Sequence, residues 1–354
     1  MGRSKDDGIA PQAYAYYRMP QANTYNCVKQ YSSPTKIASL YEISDDKSGF
    51  LIAPFDVLHE DTYLIQPDNI ITESIEELYN ELQIQNSSHS HSLNECNTKE
   101  SYNECFQKCK TLLENNQLNK IVLSHTFETQ LSGPSPKTIF ANACHLFPRC
   151  YVALWYTEPT GMWLTITPEI LLERINNSSW HTVALAGTMT KPNSFNLPIE
   201  WSKKNKDEQN YVADYIENEL CKLGIQSERS ELKTIEAAHL LHLCTDFYFN
   251  SEISIGYLLN QLHPTPAVCG MPKQEAYDAI LSIEPHHRKY YAGFSGPIAL
   301  KGQTHLFVTL RCAQCANSEY FTFYAGGGLI KGSSLSDEWN EINAKMQTAY
   351  MAIS

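Results

Sequence analysis

Apolar residues recur along this chain at two periods, and the switches between them mark its elements. Before a polar, turn-prone tract at 85–100 (QNSSHSHSLNECNTKE), only short strand-like pieces stand out, such as SGFLIAPF and DTYLIQ. After it the patterning strengthens. SYNECFQKCKTLLENN carries apolar positions at helical spacing and leads into a strand, KIVLSHTFE. CYVALWYT and GMWLTITP read as the two strands of a hairpin, and SWHTVALAG as a strand ending at Gly187. DEQNYVADYIENELCKLG predicts a long helix with Val212, Tyr215, Ile216, Leu220 and Leu223 on its apolar face. EAAHLLHLCTDFYF fits helix and strand equally. KQEAYDAILSIEP predicts a helix, and GPIAL, THLFVTLRC and YFTFYAGGG predict strands before a last helix closes the chain.

Neighbouring strands are joined by short connections rather than crossover helices. The expected fold is therefore α+β, with large, mixed, mostly antiparallel β-sheets packed with helices. The polar tract suggests an N-terminal α+β portion and linker at 1–100, and a catalytic core at 101–354 forming one integrated domain.

Composition narrows the function. The chain has 354 residues, 42% of them hydrophobic, enough for a large core. A net charge of −12 argues against nucleic acid or an anionic membrane as the main partner. Such a chain binds an acidic small molecule only by concentrating cations in the site, and a divalent metal does this economically. No apolar leader follows the initial Met, no run is long enough to span a membrane, and the eleven cysteines are odd in number. These features suggest a cytoplasmic protein with free thiols. Cys312 and Cys315 form a lone CxxC without a second pair to complete a zinc site. His89 and His91 read as solvated residues of the polar tract.

Candidate chemistry gathers at a few positions. Glu338, Glu341 and Lys345 are spaced to share one helix face, just after the glycine triplet 326–328. Ser334 and Asp337 suggest a capping-box start. Such a stripe reads either as a solvated face with i,i+4 pairing or as a holder of a metal and an anion beside a flexible glycine turn. Lys120 at the head of an apolar strand is an edge gatekeeper, or a base once its surroundings hold it neutral. Glu169, after Pro168, is a first-turn helix residue favoured by the macrodipole, or a buried general acid. Glu208 reads as a first-turn residue of the long helix or as a further metal ligand. Carboxylates of this kind favour magnesium over zinc. The glycine triplet matches no nucleotide-binding pattern.

In order, KIVLSH, TPEILLER, ALAGT, KNKDEQNYV, HLLHLCT, LHPTPAVCGMP, IEPHHRKYYAGFSG, TLRCAQC, YAGGGLIKGSS and DEWNEINAK resemble the chorismate-utilising enzymes, and within them the isochorismate synthases. The resemblance covers most of 101–354 and implies their chorismate-binding fold, shared with aminodeoxychorismate synthase. It implies that Lys120 activates a water for attack on C2 of chorismate and that Glu169 protonates the departing C4 hydroxyl. It further implies magnesium held by Glu208 and Glu341, with Glu338 in or near the metal's outer shell. Gly187, His242, Ala267, Arg311, Gly326 and Lys345 would form the substrate cradle.

Family members differ in their nucleophile. Aminodeoxychorismate synthases carry Lys where this chain has Ala186, and anthranilate synthases usually read PAGTLSGAPK where this chain reads LHPTPAVCGMPK. Both departures point to water. The implied product is isochorismate, feeding menaquinone or siderophore biosynthesis. Salicylate synthases also use water, then eliminate pyruvate, and stand as the alternative. With no ammonia to deliver, no glutaminase subunit is expected, and the enzyme is expected to act as a monomer.

Overall fold

The computed structural model describes residues 10–84, 99–131, 134–190, 199–237, 240–317 and 319–354. Most of the polar tract, with His89 and His91, lies outside the described residues. The N-terminal part supplies β1 (Ala13–Arg18), β2 (Thr24–Gln30), β3 (Thr35–Ile37), β4 (Gly49–Ala53), β5 (Thr62–Ile65), β6 (Asn69–Ser74) and helix α1 (Ile75–Leu82). There follow α2 (Lys99–Glu114), β7 (Lys120–Gln130), α3 (Pro136–Leu146), β8 (Tyr151–Thr157), β9 (Gly161–Thr167), β10 (Ile170–Arg174), β11 (Ser179–Thr190) and α4 (Lys203–Lys222). Next come β12 (Ser227–Arg229), β13 (Lys233–Ala237), β14 (Leu240–Asn250), α5 (Ile255–Leu262), β15 (Gly270–Met271) and α6 (Lys273–Ile283). The last elements are β16 (Phe294–Ile298), β17 (His305–Val308), β18 (Cys312–Asn317), β19 (Tyr320–Ile330) and α7 (Leu335–Ile353).

Two antiparallel sheets take up these strands. One runs β15-β7-β19-β18-β9-β8-β1-β2-β6, and the other β12-β14-β11-β10-β17-β16-β4-β5-β3, with β13 also on β14. This is the α+β architecture expected from the hairpin-like spacing. Strands from before residue 85 enter both sheets: β1 pairs with β8, and β4 pairs with β16.

The apolar run in β8 is continuous because both faces are covered. Tyr151, Ala153 and Trp155 point into the core between the sheets, where Tyr151 stacks on Phe307 of the other sheet with centroids 4.1 Å apart. Val152 and Leu154 point the other way, into a second core shared with residues of α1, α3 and α7. A run buried on both faces loses the alternation of a half-exposed strand.

Several local expectations change. The ambiguous EAAHLLHLCTDFYF contributes most of β14, because its apolar residues pack against β11 on one side and β13 on the other. THLFVTLRC is two strands: the ladder breaks at Thr309–Arg311, where Arg311 takes a left-handed φ of 47°. The glycine triplet is not a turn, for Gly326, Gly327 and Gly328 lie inside β19 and pair with Ser124, Leu123 and Val122 of β7. The long helix begins earlier than read, capped by Ser202, whose Oγ accepts from Asn205 N at 3.1 Å. Glu208 thus sits in its second turn, beyond the main reach of the macrodipole. Ser334 does precede α7, but its side chain makes no capping bond to the helix and meets Ser336 Oγ instead.

Candidate active site

Strands β7 and β19 of one sheet, β11 and β14 of the other, and the β9–β10 and β17–β18 connections line a cavity. Glu169, Gly187, Glu208, His242, Ala267, Arg311, Gly326 and Lys345 all line it. Lys120, Glu338 and Glu341 stand beside it, behind the glycines of β19.

Each side chain is held by its element. Glu169 lies with Pro168 between β9 and β10; its N–H donates to Thr167 Oγ1 at 3.1 Å and its carbonyl accepts from Val308 N at 2.9 Å. The connection is strand to strand, so the helix-terminus reading of Glu169 does not apply. Gly187 sits in a bulge where β11 slips register against β14, with a φ of 74° that favours glycine. Gln209 of α4 clamps the strand just before this bulge. Its Oε1 accepts from Ala186 N at 2.8 Å, and its Nε2 donates to Ala184 O at 3.0 Å. That clamp fixes the helix turn carrying Glu208. The left-handed backbone at Arg311 turns its guanidinium into the cavity, where Nη1 donates to Ala237 O at 3.2 Å and Nη2 meets His242 Nε2.

The stripe on α7 faces inward, so the solvated-face reading fails: Glu338 is 1% exposed. Three lysines answer three glutamates here. Lys120 Nζ lies 3.0 Å from Glu208 Oε1, Lys345 Nζ lies 2.7 Å from Glu341 Oε1, and Lys204 pairs with Glu338 Oε1. Lys345 also donates to the carbonyl of Gly326 at 2.9 Å. The glycines explain how the carboxylates come so close. A Cβ on Gly328 would stand 2.1 Å from Glu208 Oε1; one on Gly327 would stand 3.1 Å from Glu338 Oε2 and 3.9 Å from Glu341 Oε1.

Electrostatics separate the acids. Burial raises Glu169 to about 7, against the opposing charges of Lys120, Lys345 and Arg311. Burial also raises Glu338 to about 7; Lys204 resists this, while Glu341 and Glu208 add to it. At Glu208, burial is outweighed by Lys120, Lys204 and Lys345, which hold it below the usual carboxylate range.

Among the described residues no three His, Cys, Asp or Glu side chains are grouped as a metal site, and lysines answer Glu208, Glu338 and Glu341; one buried acid oxygen still speaks for a cation. Carboxylates of Glu208, Glu338 and Glu341 gather on two consecutive glycines, and Glu338 Oε2 is buried without a hydrogen-bond partner. An uncompensated carboxylate oxygen in such a place is costly unless a cation answers it. The sequence reading missed Lys204, although it stands four residues before Glu208 on the same helix face. It also missed the cavity-lining Thr188, Tyr291 and Leu310, although each lies inside a family-like motif, ALAGT, IEPHHRKYYAGFSG and TLRCAQC respectively.

The chain matches the family model described as chorismate binding enzyme over residues 11–354. The isochorismate synthase DhbC of Bacillus subtilis is 28% identical over 322 residues, covering 85% of this chain and 79% of that protein. The isochorismate synthase MenF of Escherichia coli is 29% identical over 250 residues, covering 67% of this chain and 56% of that protein. The solved structure of the menaquinone-specific MenF from Escherichia coli superposes with a TM-score of 0.78 at 20% identity, over 98% of this chain and 90% of that one.

Proposed function

This chain belongs to the chorismate-binding enzymes, and from that premise we propose that it is an isochorismate synthase, an isomerase acting on chorismate. The observation that carries the reading is a buried carboxyl group near neutrality on the cavity wall, with a buried lysine beside the cavity as the strongest charge acting on it. Glu169, raised to about 7, holds a proton that it can donate; Lys120, at 0% exposure, is placed to accept one.

In this reading Lys120 takes a proton from a water as its oxygen bonds to C2 of chorismate. The ring double bonds shift, the C4–oxygen bond breaks, and Glu169 protonates the departing hydroxyl to water. One water enters and one leaves, so the change is an isomerisation. The acid must keep its proton near neutral pH, and burial at Glu169 supplies that tuning. Arg311, Lys345 and the backbone at Gly187 and Gly326 orient the substrate. Ala186 at the cavity wall offers no amine to compete with water.

Glu208 and Glu341 would hold a magnesium ion, with Glu338 at the edge of its shell; when bound, the ion neutralises a substrate carboxylate among these acids. We further propose that the enzyme works in the cytoplasm without a glutaminase subunit, as a monomer, and that its product supplies menaquinone or siderophore biosynthesis. Incubation of the protein with chorismate and magnesium, resolved by chromatography, tests the assignment. Isochorismate is the expected product. Salicylate with pyruvate would replace the reading by its alternative, and anthranilate in the presence of ammonium would refute water as nucleophile.

A further inference from the structure

Strand β7 carries Lys120 and borders the cavity at Val122. One of its edges is fully paired with β19. Its other edge meets only the two-residue β15, opposite Lys120 and Ile121, and a last backbone bond from Val122 N to Cys269 O at 2.7 Å. Beyond that point no strand among the described residues continues the ladder. Backbone groups left there would be buried without partners, which costs free energy.

Side chains from one segment after α6 take the place of the missing strand. Arg288 Nη2 donates to Val122 O at 2.7 Å, and Glu284 Oε1 accepts from Ser124 N at 2.7 Å. His286 Nε2 meets Ser124 Oγ at 2.9 Å. The two charged groups also bind each other, through Arg288 Nε to Glu284 Oε2 at 2.8 Å and Nη2 to Oε1 at 2.6 Å. The remaining arm of the fork, Nη1, donates to Val268 O at 2.7 Å. Val268 and its neighbour Ala267 line the cavity. Both members of the pair are nearly sealed, Arg288 at 4% and Glu284 at 9% exposure.

We propose that Glu284 and Arg288 are positioning residues: together they act as a side-chain substitute for an edge strand, fixing β7 and the Ala267–Val268 wall in one geometry. The inference rests on the isochorismate synthase reading only for its kinetic part. Neither residue touches the cavity; each acts through the backbone it holds. An ammonium cannot replace the fork, because lysine lacks the planar donors needed for Val122 O, Val268 O and Glu284 at once. Misplacement of a reacting group by a fraction of an ångström is felt in turnover more than in binding.

The test uses R288K and E284Q in the full chain, with Leu258→Ala on α5 as a control that opens a cavity in the core without removing any of the bracket's hydrogen bonds. Amide hydrogen exchange at Ser124 is read by mass spectrometry and NMR, and kcat and KM for chorismate are read on the folded fraction. The expected result is faster exchange at Ser124 in E284Q, and in both bracket variants a fall in kcat of about tenfold or more with KM changed less than about threefold. The control loses thermal stability and keeps its kcat. Unchanged Ser124 exchange in E284Q, or a kcat in R288K that falls only with the folded fraction as in the control, overturns the proposal. The exchange measurement does not depend on the reaction. If the unaltered enzyme yields no isochorismate while Ser124 still loses protection in E284Q, the functional reading fails and the bracket stands.

Discussion

A carboxyl group flanked by two lysines and an arginine would ordinarily be ionised, yet burial outweighs those charges at Glu169 and raises it to about 7. Its proton is therefore present in acid and lost as pH rises through about 7. With Glu169 as the acid, kcat/KM measured from pH 5 to 9 falls above about 7, and a limb that stays flat to pH 9 contradicts the role. The same shift has a stability consequence with a definite sign. The folded value lies above the unfolded 4.5, so the favourable contribution is full below 4.5 and lost as pH rises through about 7. Glu169→Gln removes the charge, and denaturant unfolding at pH 8.5 is expected to show it more stable than the parent by up to about 3 kcal/mol, with little difference near pH 4. Lys120→Ala removes the proton acceptor and is expected to lower turnover at least a hundredfold, on the order of what general bases contribute, in a chain whose circular dichroism is unchanged. Activity within a few-fold of the parent would remove Lys120 from that role. Lys120 and Glu169 were legible as candidates because each is a charged residue at the end of an apolar run. What tunes Glu169 was not legible, since its neighbours Lys345 and Arg311 arrive from α7 and from the break between β17 and β18.

At the level of elements, the site depends on how close α4 and α7 come to β19. The glycines permit this approach by having no side chain, which is a different use from the flexible turn their sequence suggested. Gly328→Ala isolates that contribution. Its Cβ would stand 2.1 Å from Glu208 Oε1 and 3.0 Å from Lys120 Cε, both near the ends of flexible side chains. The chain is expected to fold, with the Lys120–Glu208 pair displaced, turnover reduced about a hundredfold and the magnesium concentration for half-maximal activity raised. Parent-like magnesium dependence would show that the close approach is dispensable. The helices were readable from their apolar periodicity. The strand ends were not: Arg311 and Gly187 owe their geometry to a left-handed residue and a bulge, which are fixed by partners from other elements rather than by local pattern.

Over the whole molecule, the division at the polar tract was an expectation drawn from composition alone. Strand pairing crosses it twice: β1 covers the edge of β8, and β4 covers the edge of β16. These partners are over a hundred residues apart, a separation that no local sequence signal encodes. We propose that the chain folds as one cooperative unit. A chain beginning at Lys99 would expose both edges and the apolar surface beneath them. It is expected to be insoluble or unfolded, and the intact chain to unfold in one transition by fluorescence and circular dichroism alike; a soluble, active truncated chain would contradict this. The family resemblance was strongest after residue 100, where the motif-bearing strands and helices form the cavity walls. Before it, the strands support the sheets without reaching the site, and short apolar pieces were all that marked them.

The proposed reaction turns on the origin of one oxygen atom. Chorismate turned over with magnesium in water enriched in oxygen-18, with the product analysed by mass spectrometry, reads that origin directly. Water attack at C2 gives isochorismate heavier by one oxygen-18 at that carbon, with the label absent from unreacted chorismate at early times. Isochorismate carrying only the original ring oxygen would mean that the hydroxyl is passed within the substrate, and would contradict the roles given to Lys120, Glu169 and the incoming water.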